Sequence, residues 1–346
     1  MSERGERSER IGLMALIVIL VGLPAAVLGY QFMLRPALAG VRTIDIVAAA
    51  PEAGGFQPDT IRVAAGEKVR LRFSAPDVAH SIAIGPGLGL DLGNVDPGQV
   101  KEVEVAFPHT GRYTFYCNTW CSPNHWRMRG TIEVYDPAHP DASPAVEAAD
   151  PTLASLAARG VDIDAPHPAQ AVPVERPSAA RGAAIVQRLS SRLPVELSDP
   201  VWRRSHSPAE AWSMLVKAGV NEAEAWDAIA SLWLADVDTA DLQTGATLFA
   251  KNCAACHGQS GDGRGPGADA LAAQAIGQQA GMAMNQGPAA FADPNTMLGG
   301  TGDIYYAKLR RGGMGTGMPS FGPIFTPQET WLLVDYLWTF VFEAGR

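Results

Sequence analysis

The chain has 346 residues, 47% of them hydrophobic and 18% charged, with a formal net charge of −9. That length accommodates two ordinary domains together with an anchor and linkers. The balance of residue types fits globular protein with one membrane segment and excludes a polytopic channel. The negative charge argues against nucleic acid or an anionic lipid surface as the main partner, and suits a basic protein donor.

Residues 1–10 form a polar leader carrying Arg4, Arg7 and Arg10. Residues 11–34 then contain no charged side chain, and as a helix they are long enough to cross a hydrocarbon core of about 30 Å. Pro24 and Gly29 are tolerable inside a membrane helix. The rival is a cleaved signal peptide, because Ala37-Leu38-Ala39 has the small-x-small form of a cleavage site. Signal peptides have apolar runs of only about 7–15 residues, so an uncleaved, single-pass anchor in a bacterial cytoplasmic membrane is expected. The arginines ahead of the span put the N-terminus in the cytoplasm and the rest of the chain on the periplasmic side. No second span is expected, since the apolar run 331–342 is short and broken by Asp335.

Residues 41–136 read as strands. Thr60-Ile-Arg-Val, Lys68-Val-Arg-Leu-Arg-Phe, the run from Gln99 to Phe107, Gly111-Arg-Tyr-Thr-Phe-Tyr and Gly130-Thr-Ile-Glu-Val alternate apolar with polar residues. Turn-forming Gly, Pro, Asn and Asp lie between them, which predicts a small all-β sandwich. Residues 137–180 are rich in Pro, Ala, Asp and Glu without periodicity and predict a linker between separately folded domains. From Arg181 the pattern is helical. Helices are expected at 208–218, at 222–235 with Asn221 as cap, at 238–258 and at 327–342 around a Gly-rich middle. Residues 224–233 faintly echo residues 329–338. Residues 181–236 are therefore either a helical spacer, the favoured alternative, or a degenerate cytochrome-like domain.

The four cysteines form two local clusters. In the first, Cys117, Cys121, His125 and Met128 offer two soft thiolates, an imidazole and a thioether after a strand. Soft sulfur together with imidazole selects copper over hard cations. One thiolate would make a mononuclear site, whereas two thiolates four residues apart can bridge two copper ions that share one unpaired electron. A second imidazole is needed from elsewhere, and His80 supplies it at the end of a strand-like run. A disulfide between Cys117 and Cys121 is chemically allowed outside the cell, but leaves His125 and Met128 at ligand spacing by accident. Zinc has no need of Met128. His109, His139 and His167 lack such company and are expected on the surface.

Residues 60–134 resemble the dinuclear CuA domain of subunit II of haem–copper oxidases, and also the copper domain of nitrous oxide reductase. The resemblance implies that Cys117 and Cys121 bridge and that His80 and His125 each bind one of two copper ions. It further implies that Met128 is the weak axial ligand and that the backbone oxygen of Thr119 completes the set. The oxidases usually carry Glu at the Thr119 position and nitrous oxide reductases usually Trp. Because that ligand is a main-chain oxygen, the substitution is expected to tune the site without abolishing it. The length leaves no room for the His-rich catalytic propeller of nitrous oxide reductase.

The second cluster, Cys253-Ala-Ala-Cys256-His257, is the c-type haem attachment signature. Two thiols add across the haem vinyl groups and His257 is the proximal iron ligand. A redox dithiol is the rival for an isolated CxxC, and the adjoining His257 speaks against it. Gly315-Thr-Gly-Met318-Pro-Ser-Phe-Gly322 resembles the distal loop of class I cytochromes c and implies Met318 as the sixth ligand. Met314 lacks the following Pro, and Met282, Met284 and Met297 are expected to pack or fill loops. Residues 238–346 thus resemble a small all-α cytochrome c with one covalently bound haem c.

Anchor, cupredoxin sandwich and cytochrome c in this order resemble subunit II of cytochrome c oxidases with a fused cytochrome, in the single-span B-type arrangement. The resemblance implies an electron-transfer subunit with no catalytic residues of its own. Electrons would pass from a soluble or membrane donor (a cytochrome c or small copper protein) to haem c and then to CuA. From there they would reach a haem–copper catalytic subunit I, where oxygen is reduced. The alternatives are the matching subunit of a CuA-containing nitric oxide reductase and a free-standing membrane-anchored electron carrier. A copper-delivery protein would need exchangeable ligands rather than a buried bridging pair.

Overall fold

A computed structural model describes residues 13–14, 16–30, 40–142, 149–270, 287–313 and 317–345. The leader 1–10, the remainder of the expected span, and Met282, Met284 and Met314 lie outside the described residues. Within the expected span, a π-helical turn (Val18–Gly22) runs into α1 (Leu23–Gly29), and apolar side chains from Leu13 to Tyr30 are exposed. Among the described residues no helix is long and apolar enough to cross a membrane.

Nine strands build the sandwich. One sheet has the order β2 (Phe56–Gln57), β1 (Arg42–Ala48), β4 (Lys68–Ser74), β7 (Val100–Ala106). The other has the order β3 (Thr60–Ala64), β9 (Arg129–Tyr135), β8 (Gly111–Tyr116), β5 (His80–Gly85), β6 (Leu90–Val95). In β4 and β9 every second side chain is buried, the outcome expected of period-two patterning on a sheet with one packed face. Leu71, Phe73, Phe115 and Ile132 fill the space between the sheets, with Phe56 edge-on to Phe115 at 4.9 Å.

Strand β5 breaks the alternation because both its faces are covered. Ile82 and Ile84 point into the sandwich core, while Ala83 joins the core of the helical region. A strand buried on both sides reads as a continuous apolar run and gives no period-two signal. His80 accordingly opens this strand rather than ending one, as the sequence suggested.

The expected linker also holds ordered structure. Helix α2 (Pro151–Ala158) starts at Asp150, whose side chain accepts from the N–H groups of Thr152 and Leu153. Its Leu156 is buried with Ile163, Ile304 and Ala307. A helix of eight residues with one buried side chain carries too few apolar positions to stand out as a period in sequence. Further along, Arg176 donates to the carbonyl of Phe342 at 3.1 Å. Residues 150–178 are laid onto the helical domain rather than hanging between domains.

Two crossed helix pairs dominate the remainder. Helix α3 (Ala179–Arg188) packs on α6 (Glu222–Trp233), which α5 (Pro208–Lys217) also touches, while the short α4 (Pro200–Ser205) lies against the helix Gly302–Arg311. Helix α7 (Thr239–Asn252) leads into the short α8 (Ala254–His257) and packs on the closing α11 (Pro327–Trp338). Between them lie α9 (Pro294–Met297) and α10 (Gly302–Arg311). The cap expected at Asn221 is present, and the structure adds another at Thr326. Asn221 accepts from Ala223 and Glu224 N–H, and Thr326 and Glu329 form a reciprocal capping box, which satisfies N–H groups that would otherwise be orphaned.

Candidate metal and haem sites

The loop after β8 returns on itself through a short 3-10 turn (His125–Arg127) before β9, and this folds all its candidate ligands onto one end of the sandwich. The ligand atoms of His80, Cys117 and Cys121 lie within 4.8 Å of one another. His125 Nδ1 is 3.5 Å from Cys121 Sγ, and Met128 Sδ is 3.8 Å from the same sulfur. The Thr119 carbonyl is 3.2 Å from Cys117 Sγ. The six residues singled out in sequence are thus brought together, and no disulfide joins the two cysteines.

His80 carries the test of fit. Its Nε2–H donates to Asp77 Oδ1 at 2.9 Å, while its buried Nδ1 has no hydrogen-bond partner. A ring nitrogen deprived of water and of partners is costly, and a metal ion that takes its lone pair removes the cost. The carboxylate behind the other nitrogen is the usual arrangement for fixing the tautomer of a ligating histidine. Burial pulls the His80 imidazole down, but the sulfur of Cys117 and the carboxylate of Asp77 outweigh it and leave it raised. In the cysteine pair, the hydrogen bond with Cys121 draws the Cys117 thiol far down, and the same contact pushes Cys121 up. A bridging cation would let both sulfurs ionise. The donor set of soft sulfur and imidazole fits copper.

Sequence reasoning missed two supporting residues here. Ser81 directs its backbone N–H and its hydroxyl at Cys117 Sγ, at 3.4 and 3.6 Å, and its hydroxyl accepts from Asn118 N–H at 2.6 Å. Asp77 lies three residues before His80, so its spacing was the available signal. Ser81 offered none, because its role depends on a sulfur brought over from β8.

The second site is built at the end of α7. Cys253 is buried in the helical core beside Ala254, and Met318 packs, half-buried, against that same core. Cys253 and Cys256 remain unpaired thiols, as covalent attachment of a haem requires. His257 Nδ1–H donates to the Ala289 carbonyl at 3.0 Å, and its ring stacks on Phe291 at 4.4 Å. That bond commits Nδ1 and leaves Nε2 for iron. Burial lowers the His257 imidazole, opposed by the Ala289 bond, so the ring is kept in the neutral form that a metal needs. Both thiols are raised by burial. The residues present fit a c-type haem.

A β-sandwich with a Cys/His/Met loop and a helical domain with CxxCH together define a two-domain protein, one part cupredoxin and one part cytochrome c. Residues 13–134 match the family described as cupredoxin-like domain, and residues 242–340 match the family described as cytochrome c. The chain is also homologous to cytochrome c oxidase subunit 2 of Thermus thermophilus. It is 35% identical over 80 residues, which cover 23% of this chain and 58% of that protein. A second Thermus thermophilus protein of the same description matches at 35% over 80 residues, covering 46% of its length. The match thus spans about half the length of these curated relatives. Among solved structures, the periplasmic domain of subunit II of a cytochrome oxidase from Bradyrhizobium japonicum aligns over 28% of this chain and 86% of its own. That alignment has 21% identity and a TM-score of 0.24.

Proposed function

We propose that this chain is the electron-transfer subunit of a membrane-bound haem–copper terminal oxidase, set on the periplasmic side by its N-terminal segment. The observation that carries it is the meeting, in one chain, of a sulfur-rich copper loop around the unpartnered His80 nitrogen and a CxxCH whose histidine is oriented by Ala289. Bound as CuA and haem c, these groups supply reversible one-electron redox chemistry. The protein's own part is positional. Cys117 and Cys121 would bridge two copper ions, His80 and His125 would each hold one, and Met128 and the Thr119 carbonyl would complete the shell. Cys253 and Cys256 would anchor the haem, and His257 and Met318 would hold its iron. Oxygen reduction is assigned to a catalytic subunit I. The donor is assigned to a cytochrome c or small copper protein.

Metal analysis of the purified full chain should give two coppers and one iron per chain. Electron paramagnetic resonance should show hyperfine splitting from one electron shared equally by two copper nuclei. Met128→Leu should keep that pattern and shift the potential, because a thioether is a weak axial ligand, whereas Cys117→Ser should abolish it. A splitting from a single copper nucleus in the wild type would overturn the dinuclear assignment. Purification in mild detergent should recover a haem–copper subunit I. Recovery of a nitric oxide reductase chain, or of this chain alone, would replace the oxidase assignment.

A further inference from the structure

One side chain that neither ligand set contains touches both sites. Trp120 sits between Thr119 and Cys121 in the copper loop, and its ring lies 5.8 Å from the His125 ring, centroid to centroid. Its other edge rests on Gly267 so closely that a Cβ there would stand 2.5 Å from Cζ3 and 2.7 Å from Cη2 of the indole. Gly267 N–H donates to the Ala255 carbonyl at 2.7 Å, and Gly265 N–H to the Cys256 carbonyl at 3.0 Å. Ala255 and Cys256 are two residues of the haem-attachment motif itself. The loop 265–267 is therefore stitched to CxxCH by hydrogen bonds and covered by Trp120. Nearby, Lys251 donates to Asp91 at 2.6 Å, with Asp91 also accepting from Asn118 at 3.3 Å, and that pair is partly open to solvent.

On the electron-transfer function proposed above, we propose that Trp120 is the positioning residue that couples the two centres. It presses the copper loop onto the haem-attachment loop and fills the space between them with packed, polarisable atoms. Electronic coupling decays more steeply across a gap or solvent than across atoms in contact, so the ring is the short way from the CxxCH backbone to Cys121 and His125. The exchange is one electron. Ferrous haem is oxidised to ferric, the oxidised copper pair is reduced by one electron, no bond is made or broken and no proton moves. The one-electron protein donor then restores the haem. Gly267 is required at its position because any larger residue would displace the indole.

The test uses the full, metal-loaded chain, with a photoexcited ruthenium complex as the reductant of the haem. Trp120→Leu should slow haem-to-copper transfer by about tenfold or more, the scale on which small losses of positioning act on a rate. The copper resonance spectrum and the haem absorption should stay as in the wild type, and Trp120→Phe should restore part of the rate. Gly267→Ala, made outside the copper loop, should slow transfer as well. In the haem-loaded, copper-free chain, both Trp120→Leu and Gly267→Ala should speed hydrogen exchange in the peptide spanning 263–269. Lys251→Gln should leave the transfer rate unchanged. Wild-type rates and wild-type exchange in both the Trp120→Leu and Gly267→Ala chains would overturn the role of Trp120 while leaving the electron-transfer function intact. Absence of transfer between the centres in the wild type would instead remove that function.

Discussion

At the scale of single residues, the copper site is defined as much by what holds the ligands as by the ligands. Asp77 receives His80 Nε2–H and also the N–H groups of Ala50 and Val78. Burial acts to raise its carboxyl, yet these bonds outweigh it and hold Asp77 below the ordinary range. It is thus a fixed anion that points the free His80 nitrogen at the sulfurs. Asp77→Asn keeps the size and loses the charge, and its amide can present a donor where the imidazole N–H needs an acceptor. Copper affinity should fall by about 10–100-fold, the usual effect of removing a carboxylate behind a ligating histidine. Competition against a chelator measures this, and unchanged copper retention would show that the ring is oriented by packing alone.

At the scale of elements, the two helix pairs repeat one piece of geometry. A Cβ on Gly245 of α7 would stand 2.4 Å from the Leu332 carbonyl and 2.7 Å from Tyr336 Cβ of α11. A Cβ on Gly182 of α3 would meet the Asp227 carbonyl and Ser231 Cβ of α6, at 1.8 and 2.8 Å. In the faint echo between 224–233 and 329–338, Asp227 pairs with Leu332 and Ser231 with Tyr336. The resemblance between these helices therefore extends to how each is crossed. After α3, however, residues 189–197 contain neither Cys nor His, so this pair has no means of attaching a haem. The echo was legible in sequence, but the matching glycines were not, because a glycine in a helix announces a close approach without naming its partner. Asp335 in α11 makes a separate point. It interrupts an apolar run, and burial pushes its carboxyl up to about 6, with Arg204 opposing and Asp241 and Asp236 adding to the rise. The unfolded chain ionises first as pH climbs from 3.8 towards 6, so stability is lost across that window and stays lost above it. Asp335→Asn should therefore stabilise the protein at pH 7 by on the order of 1 kcal/mol, discounted for partial exposure. The gain should fade as pH falls towards about 4. Denaturant unfolding at pH 7 and pH 5 checks it, and a less stable Asn variant at pH 7 would refute it.

At the scale of the whole molecule, what the sequence disclosed was local chemistry, and what it withheld was contact between distant surfaces. Cys117 to Met128 and Cys253 to His257 are legible because most of each ligand set is packed into one short stretch, with His80 and Met318 supplied from elsewhere in the chain. Docking of the copper domain on the haem domain is not legible. It joins Ala83 and Tyr116 to the helical core and seats the Ile324 carbonyl where a side chain at Gly85 would otherwise stand. Its most consequential link is Arg129, the residue after Met128. Its guanidinium donates to the Ser320 carbonyl and lies 5.5 Å over the Phe321 ring, so the copper domain grips the loop that carries Met318. A charge-assisted bond of this kind contributes about 1.5–3 kcal/mol, enough to bias how firmly the loop stays closed. Met318→Ala should remove the near-infrared sulfur-to-iron charge-transfer band of the oxidised haem under all conditions and lower its potential, since the axial thioether raises it. Arg129→Met should leave the band in place at low temperature. The band should then disappear at a lower temperature, or a lower denaturant concentration, than in the wild type. The copper resonance should persist through that loss, because Arg129 contributes no ligand atom. A band as resistant in Arg129→Met as in the wild type would mean that the distal loop holds itself, and that the two domains touch without the copper domain steadying the haem ligand.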